Sequence, residues 1–408
     1  MKEKIRRSTE SITVGIMGGK VSSYRKKQEE TTTVRVYKDG YIGVAGAIGE
    51  CDAGEVEKKA AKMLDNRIVY PCVAGEKLVR SESGPVLNVS DADIIRLTEK
   101  LLSRLEKETP NFIYSQSVKI YRLSTAYEND DCTKLSHRGA FIVVGLVIKD
   151  KGSANVFDAS YFVSLTDYDE DKVVADIKNL YEAYYREAEI QEGEYVVAMN
   201  PGELIGGFVY KNFEGEKYAK GASLLSGKLG EKLFGEKVTM YSDYAKNPES
   251  EPFFDAEGTV IPGDRFYYIK DGVFCGVAAS KRVSALYDLP LSGSGASGYD
   301  TVPSCGMRGS LIVAKDGRTF DEIAGGRPVI IPCMASGGDF TPTGDFSTPV
   351  QMALLYKDGK LVGRIRGDFS ISANFFDMLG KDFEGSAVNV MTKARDEDAI
   401  LVRMTVRK

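Results

Sequence analysis

Histidine is the side chain most often used to hold zinc or to move a proton near neutral pH, and this sequence of 408 residues contains one, His137. The six cysteines, at positions 51, 72, 132, 275, 305 and 333, are widely spaced and include no C-x-x-C pair. A zinc site needs three or four ligands drawn mainly from imidazole and thiolate. No such site can be written from local spacing here, and no metal or other cofactor is expected. In a reducing compartment the cysteines read as buried free thiols. Cys132 stands close before His137, in Asp130-Asp131-Cys132-Thr133-Lys134-Leu135-Ser136-His137, the one pairing that suggests a thiol hydrolase. Nucleophilic catalysis needs the two side chains within hydrogen-bond reach in space, and two adjacent carboxylates raise a thiol pKa. His137 is therefore expected in a surface turn.

Oxygen ligands and phosphate loops fare no better. The densest acidic run is Asp167-Tyr168-Asp169-Glu170-Asp171. A calcium loop starting at Asp167 requires Gly at its sixth position and Glu at its twelfth, where this chain has Lys172 and Lys178. The acids are expected instead at the positive end of a helix, with Thr166 or Asp167 as its cap. Gly293-Ser294-Gly295-Ala296-Ser297-Gly298 satisfies G-x-G-x-x-G letter by letter, but Tyr299-Asp300-Thr301-Val302-Pro303 follows it with no helical pattern, so the dinucleotide reading fails its context. Residues 221–228 miss the phosphate loop by one position, and Leu229 stands where Ser or Thr would hold magnesium. A flexible or ligand-lining loop accounts better for both, and a further glycine-rich stretch covers residues 336–345.

The elements that must position these residues follow from periodicity. Residues 55–66, 93–105 and about 171–188 carry apolar side chains at helical spacing, the second preceded by Ser90 and Asp93 in the manner of a capping box. Strand-like runs cover residues 32–47, 117–123, 139–148 and 155–165. Lys-Asp-Gly occurs at residues 38–40, 270–272, 315–317 and 357–359. Asp-Gly permits the positive φ values of a tight hairpin turn, so these predict antiparallel hairpins. The expected fold class is α+β in two domains: residues 1–190 mixed, with antiparallel strands and helices, and residues 191–408 mainly antiparallel β. Lys plus Arg number 54 against 59 Asp plus Glu, a formal net charge of −5 that argues against a general nucleic-acid binder. No run of about 18 apolar residues and no apolar leader core occurs. No membrane partner is expected, and a cytoplasmic location is the default.

One stretch carries more information than its composition. Pro201-Gly202-Glu203-Leu204-Ile205-Gly206-Gly207-Phe208-Val209-Tyr210-Lys211-Asn212-Phe213-Glu214-Gly215-Glu216 resembles the central segment of the TldD/TldE (PmbA) family, proteins long labelled modulators of DNA gyrase. Supporting matches follow in order: residues 33–43, Pro252-Phe253-Phe254-Asp255-Ala256-Glu257-Gly258, Thr343-Gly344-Asp345-Phe346-Ser347 and Phe375-Phe376-Asp377-Met378-Leu379. Catalytic TldD members carry H-E-x-x-x-H in that central segment. Counting back from Glu214-Gly215 sets its three functional positions on Gly206, Gly207 and Lys211. Neither glycine has a side chain to bind an ion, and a lysine repels one. The catalytic members also use a late cysteine as ligand, whereas nothing after Cys333 is Cys or His.

The resemblance therefore implies the TldE (PmbA) side of the family, a metal-free subunit of a complex that degrades short or unfolded peptides and processes precursor peptides. It implies a TldD-like catalytic subunit as heterodimeric partner, with a homodimer as the other arrangement. An extended peptide can be held along an exposed strand edge by backbone hydrogen bonds, and the glycine-rich loops, through Gly293, Gly295, Gly298, Gly337, Gly338, Gly344 and Asp345, are the candidates to line that surface. A stand-alone peptide-binding scaffold and a regulator of DNA gyrase, both without hydrolytic activity, are the alternatives. Lys211 reads either as a solvated helix-face lysine or as a contact for a substrate carboxylate.

Overall fold

The computed structural model describes residues 1–71 and 77–408, so Cys72 lies outside the described residues. The chain begins with a ribbon longer than its hydrophobic pattern announces. β1 (Lys2–Met17) pairs antiparallel with β2 (Lys20–Lys38) through a turn at Gly18-Gly19, where both residues have positive φ. Residues 20–30 of β2 are mostly exposed and polar. That solvated stretch hides the strand from a reading based on apolar alternation, which starts only at residue 32. Asp39-Gly40, at φ 52° and 79°, then turns the chain into β3 (Tyr41–Ile48).

α1 (Ala53–Lys62) is capped by Asp52, whose carboxylate accepts from the Gly54 amide, and it lays Val56 and Ala60 against Val34 and Val36 of β2. Two short strands, β4 (Ile68–Val69) and β5 (Val79–Ser83), lead to α2 (Ile94–Glu108). The Ser90 hydroxyl donates to the Asp93 carboxylate at 2.6 Å and Asp93 makes no side-chain cap, so the expected capping box is not formed. The long strands β6 (Phe112–Asn129) and β7 (Lys134–Asp150) and the shorter β8 (Ala159–Leu165) complete a sheet of order β4-β3-β2-β1-β6-β7-β5, with β8 on β7. α3 (Glu170–Tyr184) is capped by Asp169, not by Thr166 or Asp167; the Asp167 carboxylate is turned toward Asn88. The helix stops at Tyr184 because Glu187–Ala188 becomes a strand that pairs in parallel with Lys360–Ile365.

The second half is built on a sheet that pairs mostly antiparallel. Its longer strands are Gly193–Met199, Val329–Ala335, Asp345–Lys357, Lys360–Ile365, Phe369–Asn374, Phe383–Val388 and Asp398–Arg407, and the two-residue strands Glu187–Ala188 and Asp339–Phe340 add to it. Two Lys-Asp-Gly segments make hairpin turns here, with Asp271 and Asp358 at φ 50° and 51°. Residues 315–317 do not. After Gly317, Thr319 forms a capping box with Glu322, so the segment leads into a helix (Phe320–Ala324) and not into a returning strand. Inward side chains of β1, β6, β7 and β8 pack on α2 and α3 and continue without a break onto Val196, Val329, Leu354 and Leu401 of the second sheet. A second core fills the other face of that sheet. No helix among the described residues is long and apolar enough to cross a membrane.

Candidate functional site

The strand Gly193–Met199 delivers the chain to two short helices. α4 (Pro201–Leu204) starts with Pro at its first position, where the missing N–H costs nothing, and Asn200 caps it by accepting from the Gly202 amide at 2.8 Å. α5 (Gly206–Asn212) follows after Ile205. At 100° per residue, Gly206, Tyr210, Gly207 and Lys211 fall on one arc of α5, while Phe208, Asn212 and Val209 fall on the other. The second arc is buried and the first holds the exposed Gly207, Tyr210 and Lys211. A Cβ at Gly206 would meet only the Tyr210 ring at 3.9 Å, and one at Gly207 nothing within 4 Å. The three positions of the family motif thus share one side of the helix, with Gly207 and Lys211 exposed and Gly206 buried.

The second glycine-rich stretch lies against this helix. Asp339–Phe340 is a two-residue strand paired with Phe346 and Ser347 on one side. The turn that follows is held by Asp345: its carboxylate accepts from Asn374 at 3.0 Å and from Thr343 at 2.8 Å, which lowers its pKa. Gly344, at φ 90°, brings the turn close to α5; a Cβ there would be 3.6 Å from the Phe208 ring and from Phe375. Phe208 stacks on Phe375 at 3.8 Å between centroids and meets Phe340 at 5.3 Å. Gly338 packs under Phe346, and Gly337 faces open space at φ 58°. Beside this loop is a cleft of about 410 Å³ lined by Met199, Glu203, Cys333, Met334, Gly338 and Phe346 among others. Burial pushes the Cys333 thiol up to about 12, so it is not a thiolate at neutral pH.

The first glycine-rich stretch sits elsewhere. Ser292, Ser294 and Gly295 are buried, and the Gly295 amide donates to Asp255 at 2.7 Å. Gly293 packs on Tyr244 and Ile261, and Gly298 donates to Thr301 at 2.8 Å. This segment closes a buried polar cluster between the two halves of the chain. Glu3 and Arg35, facing each other across β1 and β2, form an ion pair at 3.1 Å with both side chains fully buried. Glu3 also accepts from Tyr37 at 3.0 Å and from Tyr127 at 2.9 Å, and Lys281 lies 3.6 Å away. Arg35 donates to the Ala256 carbonyl and to the Ser297 hydroxyl, each at 2.6 Å. Glu257 accepts from Tyr70 and from the Lys281 amide. Burial, with the charge of Asp255 next, pushes its carboxyl up to about 7.

His137 is not in a surface turn. It occupies β7, is 2% exposed, and its Nε2 is hydrogen-bonded to the Pro248 carbonyl at 2.7 Å. Burial lowers its pKa. Cys132 sits exposed in the turn between β6 and β7, at φ 67°. The buried Glu3–Arg35–Glu257 cluster escaped the sequence reading. Its signal was present in Thr33-Val34-Arg35-Val36-Tyr37, where a polar set alternates with valines, but only pairing with β1 sets Glu3 opposite Arg35.

The donor set on α5 does not fit a metal ion: two of its three motif positions have no side chain and the third is an ammonium group. Among the described residues no group of three or more His, Cys, Asp or Glu is arranged to hold one. Residues 193–398 match the family model described as the PmbA/TldA metallopeptidase C-terminal domain. A metalloprotease of Archaeoglobus fulgidus is 25% identical over 422 residues, covering 97% of this chain and 96% of its own. The crystal structure of TldE from Thermococcus kodakarensis superposes with a TM-score of 0.80 at 19% identity, over 100% of this chain and 97% of the other. A Thermotoga maritima protein described as a modulator of a DNA gyrase gives 0.77 at 17% identity, over 100% and 96%.

Proposed function

The chain belongs to the PmbA/TldD metallopeptidase family, and we propose that it acts there as a non-catalytic TldE/PmbA-type subunit. In this reading it pairs with a zinc-bearing TldD-like subunit in the cytoplasm, and the complex degrades short or unfolded peptides and trims precursor peptides. The observation that carries the proposal is the α5 face. Where catalytic relatives present two imidazoles and a carboxylate, this chain presents Gly206, Gly207 and Lys211, with room left above both glycines. Three features beside that face suit a peptide wall: the two-residue strand Asp339–Phe340, the cleft next to Gly338, and the exposed Tyr210. An extended peptide adds to such a strand through backbone hydrogen bonds, and an apolar side chain enters such a cleft.

The test is reconstitution. The chain is purified alone, together with a family member from the same genome that retains H-E-x-x-x-H, and as the mixture, and zinc content and peptide turnover are measured for each. Turnover that requires the partner, with zinc only in the partner, is expected. Zinc-dependent turnover by this chain alone would overturn the proposal.

A further inference from the structure

Between β1, β6 and the second half lies a pocket of about 320 Å³ that belongs to neither the α5 face nor its cleft. Two guanidinium groups line it, Arg7 from β1 and Arg308 from the segment before the strand Ser310–Val313. Each guanidinium carries five N–H donors. Arg7 donates to the Ser297 carbonyl at 2.8 Å, and Arg308 to the Pro252 carbonyl at 3.3 Å. Nη1 of Arg308 is buried with no protein acceptor among the described residues. Nor does any described carboxylate reach within 4.0 Å of either guanidinium. Glu251 acts on Arg308 only at longer range and is itself driven toward its protonated form by burial.

This is an unusual way to place two cations. Both side chains are half-buried, and a charge drawn partly out of water is normally paired, because leaving water is costly and guanidinium does not deprotonate to escape the cost. Here burial and the charges of Arg35 and Arg308 all disfavour the cation on Arg7. Asp255 also lines the pocket, but its oxygens accept from the amides of Glu257, Thr259 and Gly295. Two cations and one anion leave the lining with a formal charge of +1, which suits a monoanion better than a dianion. Ile5, Pro252, Phe254 and Ala296 make an apolar side of the wall, and the hydroxyl residues Thr125 and Ser297 also line it.

We propose that Arg7 and Arg308 form a binding site for an organic carboxylate, whose two oxygens take the unused guanidinium donors while its substituent lies on Ile5, Pro252, Phe254 and Ala296. The C-terminal residue of a peptide and a small free acid share this chemistry. The inference does not depend on the subunit role, because binding is read on the full chain without a partner and without turnover.

The experiment is calorimetric titration of the full-length chain in chloride buffer with N-acetyl-alanine, with its amide, and with inorganic phosphate. N-acetyl-alanine should saturate one site, the amide should not bind, and phosphate should bind more weakly. Arg7→Gln and Arg308→Gln should each weaken N-acetyl-alanine by about tenfold or more, the loss of one charge-assisted hydrogen bond. Arg308→Lys keeps the charge and guards against a folding defect; it should bind with intermediate affinity. A tetra-alanine peptide with free C-terminus that binds comparably assigns the site to peptide ends, and its rejection assigns it to small acids. Equal binding of acid and amide, phosphate as tight as N-acetyl-alanine, no saturable binding, or full affinity in both glutamine variants would overturn the proposal.

Discussion

Replacing Glu3 by Gln should destabilise the molecule at a fully buried ion pair of the first sheet, which also meets Lys281 of the second half. The Glu3 carboxylate faces Arg35, Tyr37, Tyr127 and Lys281 at once, and its side chain and that of Arg35 have no solvent exposure. Gln keeps the size but removes the charge, leaving Arg35 buried against a neutral group. Breaking one partner of a buried ion pair costs about 3–5 kcal/mol. With an unfolding entropy of about 2 cal/mol/K per residue, a chain of this length that melts as one unit would lose about 4–6 °C in Tm. The same should hold for Arg35→Met. Because each single variant strands the other's charge, the double variant Glu3→Gln with Arg35→Met should cost less than the two singles together, by at least about 2 kcal/mol of coupling. The assay is urea denaturation followed by circular dichroism on the four proteins, with calorimetric melting as a check. Singles that unfold within about 1 kcal/mol of the parent, or a double variant that equals the sum, would show that the pair does not act as a unit.

The glycines give opposite expectations. Gly207→Ala should stabilise the chain by up to about 1 kcal/mol, the helix-propensity difference, because a Cβ there meets nothing within 4 Å; a fall in the urea midpoint would mean that the α5 face is covered. Gly295→Ala should destabilise, since its Cβ would fall 2.5 Å from a Glu257 carboxylate oxygen and 2.8 Å from one of Asp255; an unchanged midpoint would contradict the packing. Glu257 predicts a pH dependence. Its folded pKa of about 7 lies above the ordinary carboxyl value of 4.5, so the native state holds the proton more tightly than the unfolded chain. Stability from this group is fully present below about pH 4.5 and falls by about 3 kcal/mol as pH rises through 7. Glu257→Gln should flatten that slope in urea midpoints between pH 5 and 8, and parallel slopes in the two proteins would refute the assignment.

Much of the α+β architecture was legible from local pattern. The alternation in residues 139–148 and 155–165 and the helical spacing in residues 93–105 correspond to β7, β8 and α2. Three of the four Asp-Gly turns take the positive φ that their chemistry permits. The first ribbon was less legible, because residues 20–30 bury too little to alternate. Helix starts were misplaced for a related reason: Asp169 caps α3 although Thr166 and Asp167 offer the same chemistry, and only the position of Asn88 tells which acid is engaged elsewhere. His137 read as a turn residue because of the polar run before it. Its buried ring is hydrogen-bonded to the Pro248 carbonyl, which lies far away in sequence.

The sequence alone determined what α5 lacks. Gly206 and Gly207 have no side chain to give an ion and the Lys211 ammonium has no lone pair, so no folding of the chain can supply side-chain ligands at those positions. Tertiary structure alone decided where the charges went. Glu3, Arg35, Glu257 and Lys281 are scattered over nearly three hundred positions and look like ordinary surface residues one at a time. Strand register and the closure of residues 252–300 over the first sheet bury them together, and a charge removed from water depends on neighbours that local sequence does not specify.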